Sequence, residues 1–97
     1  MLPAMADERE ATLRAELEAD AGRLVAIVLD RWLPARDPLG DPILLPRSDD
    51  EDPVRLDDLD WAEPRRAFRE RHGRPPRSGA RQVARGMLAQ RALGSPG

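Results

Sequence analysis

The first third of the chain carries an apolar stripe at helical spacing. Its members follow one another at steps of 4, 4, 3, 4 and 4 residues and are Leu13, Leu17, Ala21, Leu24, Val28 and Trp32. Charged residues lie on the opposite face, so the pattern predicts one long amphipathic helix over residues 7–33. The run at 24–29 places apolar residues, several of them β-branched, on every face. That run indicates burial all round, as in a core helix or a dimer seam.

Residues 34–60 form an acidic connector in which proline recurs at positions 34, 38, 42 and 46. Proline at this spacing ends the first helix and excludes another regular helix, so we expect an irregular or extended segment. Residues 43–47 could pair with residues 54–56 in a short hairpin, which the flanking prolines would confine to a sheet edge. The acidic run 49–52 lacks the ligand spacing of a calcium-binding loop and is expected to be a solvated turn.

A first short helix is predicted over residues 61–72. Asp60 and Glu63 stand in capping-box register, and Pro64 suits the first turn of a helix. Gly73 is placed to close the helix as a C-terminal cap.

A second short helix is predicted over residues 79–93, after an extended turn imposed by Pro75 and Pro76. Ser78 is the expected N-terminal cap. The apolar stripe of this helix consists of Ala80, Val83, Ala84, Met87 and Leu88.

These elements predict one small, mostly all-α domain over residues 1–97. It comprises the long helix 7–33, the acidic connector 34–60 and a basic two-helix unit over 61–93. Leu, Ile, Val and Phe together make only 20 of the 97 residues, so the core is thin. We therefore expect marginal stability or support from a partner.

The charges divide sharply along the chain. Residues 1–60 carry a net charge of -9, whereas residues 61–97 carry +7, which leaves -2 overall. One interpretation is that the acidic half folds back and neutralises the basic half. The other is that the basic half binds a polyanion such as DNA.

The composition argues against most catalytic chemistry. The chain has no Cys, Lys or Tyr and a single His, His72. Disulfides, thiolate or Schiff-base catalysis and a histidine-based zinc site are thereby excluded, and His72 beside Gly73 fits a helix cap. We expect no enzyme, no metal, no cofactor and no small-molecule substrate.

Composition also bears on location and source. The longest apolar run has six residues and the N-terminus lacks a basic region followed by an apolar one, so a soluble cytoplasmic protein without membrane partners is expected. All 16 positive charges are Arg, and the accompanying Ala, Pro and Gly bias is typical of a GC-rich genome of the actinobacterial kind, or of its phage or plasmid.

Arginine recurs along the predicted last helix and its entry. Arg77, Arg81 and Arg85 lie four residues apart beside Gln82, as in the second helix of a helix-turn-helix unit. Arg and Gln are the side chains that read guanine and adenine in the major groove, so bases are assigned to Arg81, Gln82 and Arg85. Phosphate contacts are assigned to Arg65, Arg66, Arg69, Arg74 and Arg77. The alternative is that these arginines form a solvated face.

The segment Phe-Arg-Glu-Arg-His-Gly-Arg-Pro-Pro-Arg-Ser over residues 68–78, followed by Arg-Gln-Val-Ala at 81–84, resembles a known arrangement. It is similar to the first helix, turn and second helix of winged-helix DNA-binding domains of the SOS-repressor type, over about 25 of the 97 residues. The resemblance implies DNA binding in transcription regulation. Here the N-terminal helix would supply the third packing element, and the helix over 79–93 would be the reader.

Two functions follow from these patterns. The favoured one is a small DNA-binding regulator or accessory protein that uses the basic unit. The alternative is a non-enzymatic interaction adaptor or assembly subunit, whose N-terminal helix docks on a partner protein or on its own copy. The residues assigned to that contact are Leu17, Leu24, Val28 and Trp32.

Overall fold

The computed structural model describes residues 3–94, with side chains from residue 8 onward. Over this range the chain forms three α-helices, a three-stranded antiparallel sheet and a short 3₁₀ turn. The elements in chain order are α1 (Pro3–Arg31), β1 (Trp32–Arg36), β2 (Pro42–Pro46), β3 (Val54–Arg55), the 3₁₀ turn (Leu56–Asp58), α2 (Ala62–His72) and α3 (Ala80–Leu93). No helix in this described range is long and apolar enough to cross a membrane.

The predicted long helix is confirmed, but it ends two residues earlier than expected. Trp32 and Leu33 belong to β1 rather than to α1. The residue before a proline avoids helical backbone angles, so Pro34 turns the chain into an extended conformation already at Leu33. Trp32 nevertheless stays buried, because the start of β1 covers the end of the same core.

The core lies along the predicted stripe of α1. Leu24 and Val28 are fully buried, and α2 and α3 both pack against this face. Phe68 of α2 and Leu88 of α3 are likewise fully buried. Leu13 is the exception, since it lies beyond the region that the C-terminal half covers and remains 52% exposed.

The connector is more regular than predicted, because β1 pairs with β2 in register Leu33↔Leu45 and Ala35↔Ile43. Pro34 pairs with Leu44, while Pro42 and Pro46 occupy positions of the same parity on β2. In an antiparallel ladder, alternate pairs exchange no hydrogen bonds. Pro34, Pro42 and Pro46 all stand at such pairs of the β1–β2 ladder, so they cost it no hydrogen bond. The adjoining pair of Arg31 and Arg47 is of the hydrogen-bonded kind, since the Arg47 N–H donates to the Arg31 carbonyl over 3.0 Å.

The turn between β1 and β2 explains why this hairpin forms. Asp37 Oδ1 accepts the backbone N–H groups of Leu39 and Asp41, each over 2.9 Å. Gly40 adopts φ of 93°, a left-handed conformation that favours glycine. The signal was therefore present in Asp-Pro-Leu-Gly-Asp at residues 37–41, a turn between two apolar segments.

The hairpin predicted between residues 43–47 and 54–56 is confirmed in a shorter form. β2 pairs with β3 at Ile43↔Arg55 and Leu44↔Val54. β2 is therefore the central strand, and the expectation that its prolines would confine it to a sheet edge was wrong. Leu44 is fully buried, because the sheet packs on α3. The mostly helical prediction thus holds with a small sheet added to it.

The helix caps follow the sequence in part. The N–H of Ala62 donates to Asp60 Oδ1 over 3.0 Å, and Gly73 closes α2 with φ of 73°. Two expectations were wrong. Glu63 pairs with Arg31 instead of completing a capping box, and α3 begins at Ala80 with Gly79 as its N-cap and no side-chain cap from Ser78.

The two C-terminal helices do not form a unit of their own. Each packs mainly against α1, and they scarcely contact each other across the connecting residues 73–79. A helix-turn-helix depends on direct packing between its two helices. The orientation of α2 relative to α3 is therefore set by α1.

Candidate nucleic-acid interface

A buried carboxylate holds the turn between α2 and α3. Asp20 of α1 is fully buried, and its two oxygens accept hydrogen bonds from both terminal nitrogens of Arg74, at 2.8 and 2.9 Å. Arg23 donates to the same carboxylate over 2.8 Å, and the backbone N–H of Arg77 does so over 3.0 Å. These donors, the Arg74 guanidinium first among them, hold the pKa of Asp20 well below its usual range, although burial opposes the shift.

Several C-terminal arginines are neutralised by the acidic half. Arg77 lies 2.6 Å from Glu16, and Arg71 lies 3.1 Å from Asp30. Together with Arg74 on Asp20 and Arg85 on Asp57, four arginines after residue 60 are paired with carboxylates before it. The first interpretation of the charge division therefore holds for these four. Three of them, Arg74, Arg77 and Arg85, were assigned to DNA.

The outer face of α2 is different. Arg65, Arg66 and Arg69 are exposed on the side of the helix opposite the buried Pro64 and Phe68. None of the three forms a salt bridge with a described side chain. We call these three residues the arginine face.

An open groove runs beside the arginine face. It lies between α2 and the turn that follows, and Gly73, Pro75 and Pro76 line its other side. Glu70 is the one acidic residue along the groove. The groove therefore offers three guanidinium groups against one carboxylate, next to a proline-stiffened wall.

The predicted reading helix presents fewer charges than expected. Arg81 and Gln82 are exposed in the first turn of α3, whereas Arg85 is held by Asp57 of the 3₁₀ turn. Further along, the outer side carries Gly86 and Gln90, both uncharged. Of the three residues assigned to bases, two are thus available to a ligand in this conformation.

The residues assigned to a partner contact lie inside the protein. Leu24 and Val28 are fully buried, Trp32 is 6% exposed, and Leu17 packs against the edge of the same core. The chain's own α2, α3 and sheet cover them. Leu24, Val28 and Trp32 are unavailable to a second protein while this fold is intact, and Leu17 is partly covered.

Sequence reasoning missed two residues that organise the surface. Asp20 lies three residues after Leu17 and four before Leu24, so its position on the apolar stripe was a signal of a buried, paired carboxylate. Arg31 carried no such signal. Its guanidinium stacks on Trp32 with the ring centroid at 4.5 Å and pairs with Glu51 and Glu63, so it joins the acidic turn to the start of α2. These hydrogen bonds raise the pKa of Arg31 above its ordinary value.

Among the residues that the structure describes, no three His, Cys, Asp or Glu side chains are grouped so as to hold a metal ion.

Comparison with known proteins adds no relative, since no family model, no curated protein and no solved structure matches the chain.

Proposed function

We propose that this protein is a small DNA-binding accessory or regulatory protein, and that it grips the phosphate backbone through the arginine face of α2. The observation that carries the proposal is the position of Arg65, Arg66 and Arg69, exposed together on one helix and without a salt bridge to any described carboxylate. Guanidinium groups bind phosphate in a bidentate manner, and Arg is among the side chains that contact the DNA backbone in protein–DNA complexes.

The pairing of the other arginines with carboxylates supports different roles for the paired and the unpaired ones. Arg74 and Arg77 hold the turn to α1, and so they position α2 rather than contact a ligand. Because Asp20 fixes the end of the helix that carries the arginine face, less conformational entropy is lost when that face binds a ligand.

Base reading is proposed for Arg81 and Gln82, the exposed pair at the start of α3. Two side chains can distinguish only one or two base pairs, since each bidentate contact reads one base. We therefore expect binding that is dominated by phosphate contacts, with a weak sequence preference.

The proposal is tested by fluorescence anisotropy of a labelled mixed-sequence duplex titrated with the full chain. Three phosphate contacts predict a slope of log affinity against log salt of about -2.7, hence a loss of about 40-fold between roughly 50 and 200 mM salt. The triple variant Arg65→Gln, Arg66→Gln and Arg69→Gln is expected to lose both the affinity and the salt dependence.

A matched control removes the same charge elsewhere. Arg9, Arg14 and Arg36 are also exposed but lie on α1 and β1. Changing these three to Gln together is expected to leave most of the binding intact. Equal losses in the two triple variants would mean that net charge alone governs binding, and the proposed face would be wrong. Absence of binding by the unaltered protein at the lower salt would refute the function itself.

A protein-interaction role is the second candidate, and one observation favours it. A second groove, between α1, α3 and the start of β1, is lined largely by apolar side chains, two of them leucines that are half exposed. The role can therefore stand without the four residues first assigned to a partner contact.

A further inference from the structure

Arg66 stands between two carboxylates on the outer side of α2. Glu63 lies three residues before it and Glu70 four residues after it. Residues at these spacings are neighbours on a helix surface, with about 5–6 Å between their Cβ atoms, and opposite charges placed there attract each other. The helix itself therefore offers Arg66 two partners that would compete with a phosphate.

Glu63 is the stronger of the two competitors. On a helix, an acidic residue that precedes its basic partner forms the more favourable pair, and Glu63 has that order relative to Arg66 whereas Glu70 does not. An exposed pair of this kind favours the bonded form by a factor of about two. With no other partner for Glu63, the Arg66 guanidinium would thus be bonded for most of the time.

In the folded protein the Glu63 carboxylate is bound by Arg31, the last residue of α1. One terminal nitrogen of Arg31 donates to Glu63 Oε1, and the other donates to Glu51 Oε1 over 2.6 Å. Arg66 forms no salt bridge with Glu63, with Glu70 or with any other carboxylate in the part of the chain that the structure describes. Glu63 is thus engaged by another element of the fold.

The Arg31 guanidinium is itself held in place. It stacks on the ring of Trp32 at 4.5 Å from the ring centroid, and this ring is buried in the core. A planar guanidinium that is fixed by stacking and by two carboxylates loses little further freedom in binding them. An isolated surface pair contributes little, but a network of several charges is held more firmly. Arg31 therefore binds Glu63 better than Arg66 does.

We propose that Arg31 is a positioning residue of the arginine face, a role that rests on the function proposed above: it withholds Glu63 from Arg66 and so leaves the Arg66 guanidinium free for a phosphate. Arg31 acts through Glu63 and contacts no phosphate itself. A site that is available for only part of the time binds its ligand more weakly by that fraction. With a pairing factor of about two, loss of Arg31 should lower the DNA affinity about two- to threefold.

The first test uses the full chain without DNA. NMR relaxation of the arginine Nε–H groups reports whether each side chain is held or mobile on the fast timescale. We expect Arg66 to be as mobile as Arg69 in the unaltered protein and to become more ordered in Arg31→Gln. Adding Glu63→Gln to that variant should make Arg66 mobile again. An Arg66 that is already held in the unaltered protein, or that stays mobile in Arg31→Gln, overturns the proposal.

The second test is the anisotropy titration with the labelled duplex. Arg31→Gln is expected to weaken binding about two- to threefold and to make the salt dependence shallower, because fewer Arg66 side chains are free to displace counterions. The same substitution is then made in Glu63→Gln and in Arg66→Gln proteins. Each of these lacks one member of the competing pair, so the two- to threefold loss should disappear in both.

Comparison among these proteins separates the proposed role from other effects of Arg31. The stacking on Trp32 and the bond to Glu51 are lost in every protein that carries Arg31→Gln, so any destabilisation is common to all of them. Thermal unfolding confirms that each protein is folded at the temperature of the titration. An equal loss of DNA affinity in all three backgrounds would show that Arg31 acts through its own charge or through stability, and the proposal would be wrong.

Arg55→Gln is the matched control. Arg55 also lies between two carboxylates, at 3.7 Å from Asp37 and from Asp41, so the change removes the same charge and releases the same number of acids. Asp37 comes five residues after Trp32 along β1, a length of roughly 17 Å. This exceeds the Debye length of about 10 Å at 0.1 M salt, and DNA binding at that salt should be unchanged. A loss equal to that of Arg31→Gln would indicate an effect of net charge and overturn the role of Arg31.

The two tests also separate this role from the function on which it rests. If the unaltered protein binds no duplex, the function is refuted, and the NMR experiment alone still decides whether Arg31 withholds Glu63. If the protein binds DNA but the mobility of Arg66 does not respond to Arg31→Gln, the function stands and the role of Arg31 is wrong.

Discussion

Removal of the Asp20 carboxylate is expected to destabilise the protein more than any other single loss of charge. The side chain is fully buried and accepts four hydrogen bonds, three from guanidinium groups and one from the Arg77 backbone. No exposed carboxylate of the chain is comparably engaged among the described residues. The variants to compare are Asp20→Asn and Asp20→Ala.

The size of the effect follows from what each change leaves behind. Breaking a buried ion pair costs about 3–5 kcal/mol when the surviving charge stays buried. Here Arg74 is 44% exposed and can turn to water, so the lower end applies, about 3 kcal/mol for Asp20→Ala. Asp20→Asn keeps one acceptor for the Arg77 N–H, and we expect about 2 kcal/mol. A domain of this size has only about 5–15 kcal/mol in total.

The assay is chemical unfolding followed by circular dichroism, with thermal unfolding beside it. A loss of about 3 kcal/mol lowers the Tm by roughly 12–24 °C for a domain of about 100 residues. The matched control is Asp30→Asn on the same helix. Asp30 bonds to Arg71 with its side chain 64% exposed, and such a surface pair contributes only about 0–1 kcal/mol.

The pH dependence supplies the decisive result. Because Arg74 and the other donors lower the pKa of Asp20 in the folded state, its contribution is present above the unfolded pKa, about 3.9. The contribution is lost as the pH falls below that value towards the folded pKa. The stability difference between the unaltered protein and Asp20→Asn should therefore be full at neutral pH and shrink below about pH 4. An equal stability difference at pH 7 and pH 3, or no difference at pH 7, would show that Asp20 does not stabilise the fold as an ionised carboxylate.

Three further predictions test the turn, the sheet and the reading helix. Gly73→Ala places a Cβ on a residue with φ of 73°, so a loss of about 1 kcal/mol in urea unfolding is expected, and no loss would mean that the cap relaxes. Leu44→Ala removes a fully buried side chain and should lower the free energy of unfolding by about 3 kcal/mol. Leu39→Ala, at an 82% exposed position, should change it by no more than about 0.5 kcal/mol. Similar values for both variants would mean that the sheet does not pack on the core. In the anisotropy assay Arg81→Gln is expected to weaken DNA binding more than Arg85→Gln, because Asp57 already holds Arg85, and the reverse order would show that this salt bridge opens on binding.

Local patterns predicted the helices well because their signals are local. The stripe through Leu24 and Val28 needs only helical periodicity and an aqueous surrounding to become buried. Gly73 was identifiable as a cap, since few other residues adopt the left-handed conformation that ends a helix. The pairing of residues 43–47 with 54–56 was also accessible, because a short acidic turn separates the two segments.

The first hairpin escaped because proline at four positions outweighed the turn signal at residues 37–41. Whether a proline breaks a strand depends on which edge its nitrogen faces, and that is a property of register. The turn at residues 37–41 and the packing of the sheet on α3 together decide the register of β1 on β2, and no window of sequence contains that packing.

The surface charge shows the same division most clearly. The sequence by itself determined that the last 37 residues carry an excess of arginine and that α1 has an apolar face. Only the tertiary structure decided which arginines remain for a ligand. Folding brings Asp20 to Arg74 across 54 residues and Asp57 to Arg85 across 28, and it leaves Arg65, Arg66 and Arg69 on the outer side of α2. Charge is a property of composition, but its neutralisation depends on distances of a few ångströms, which exist only once the chain is folded.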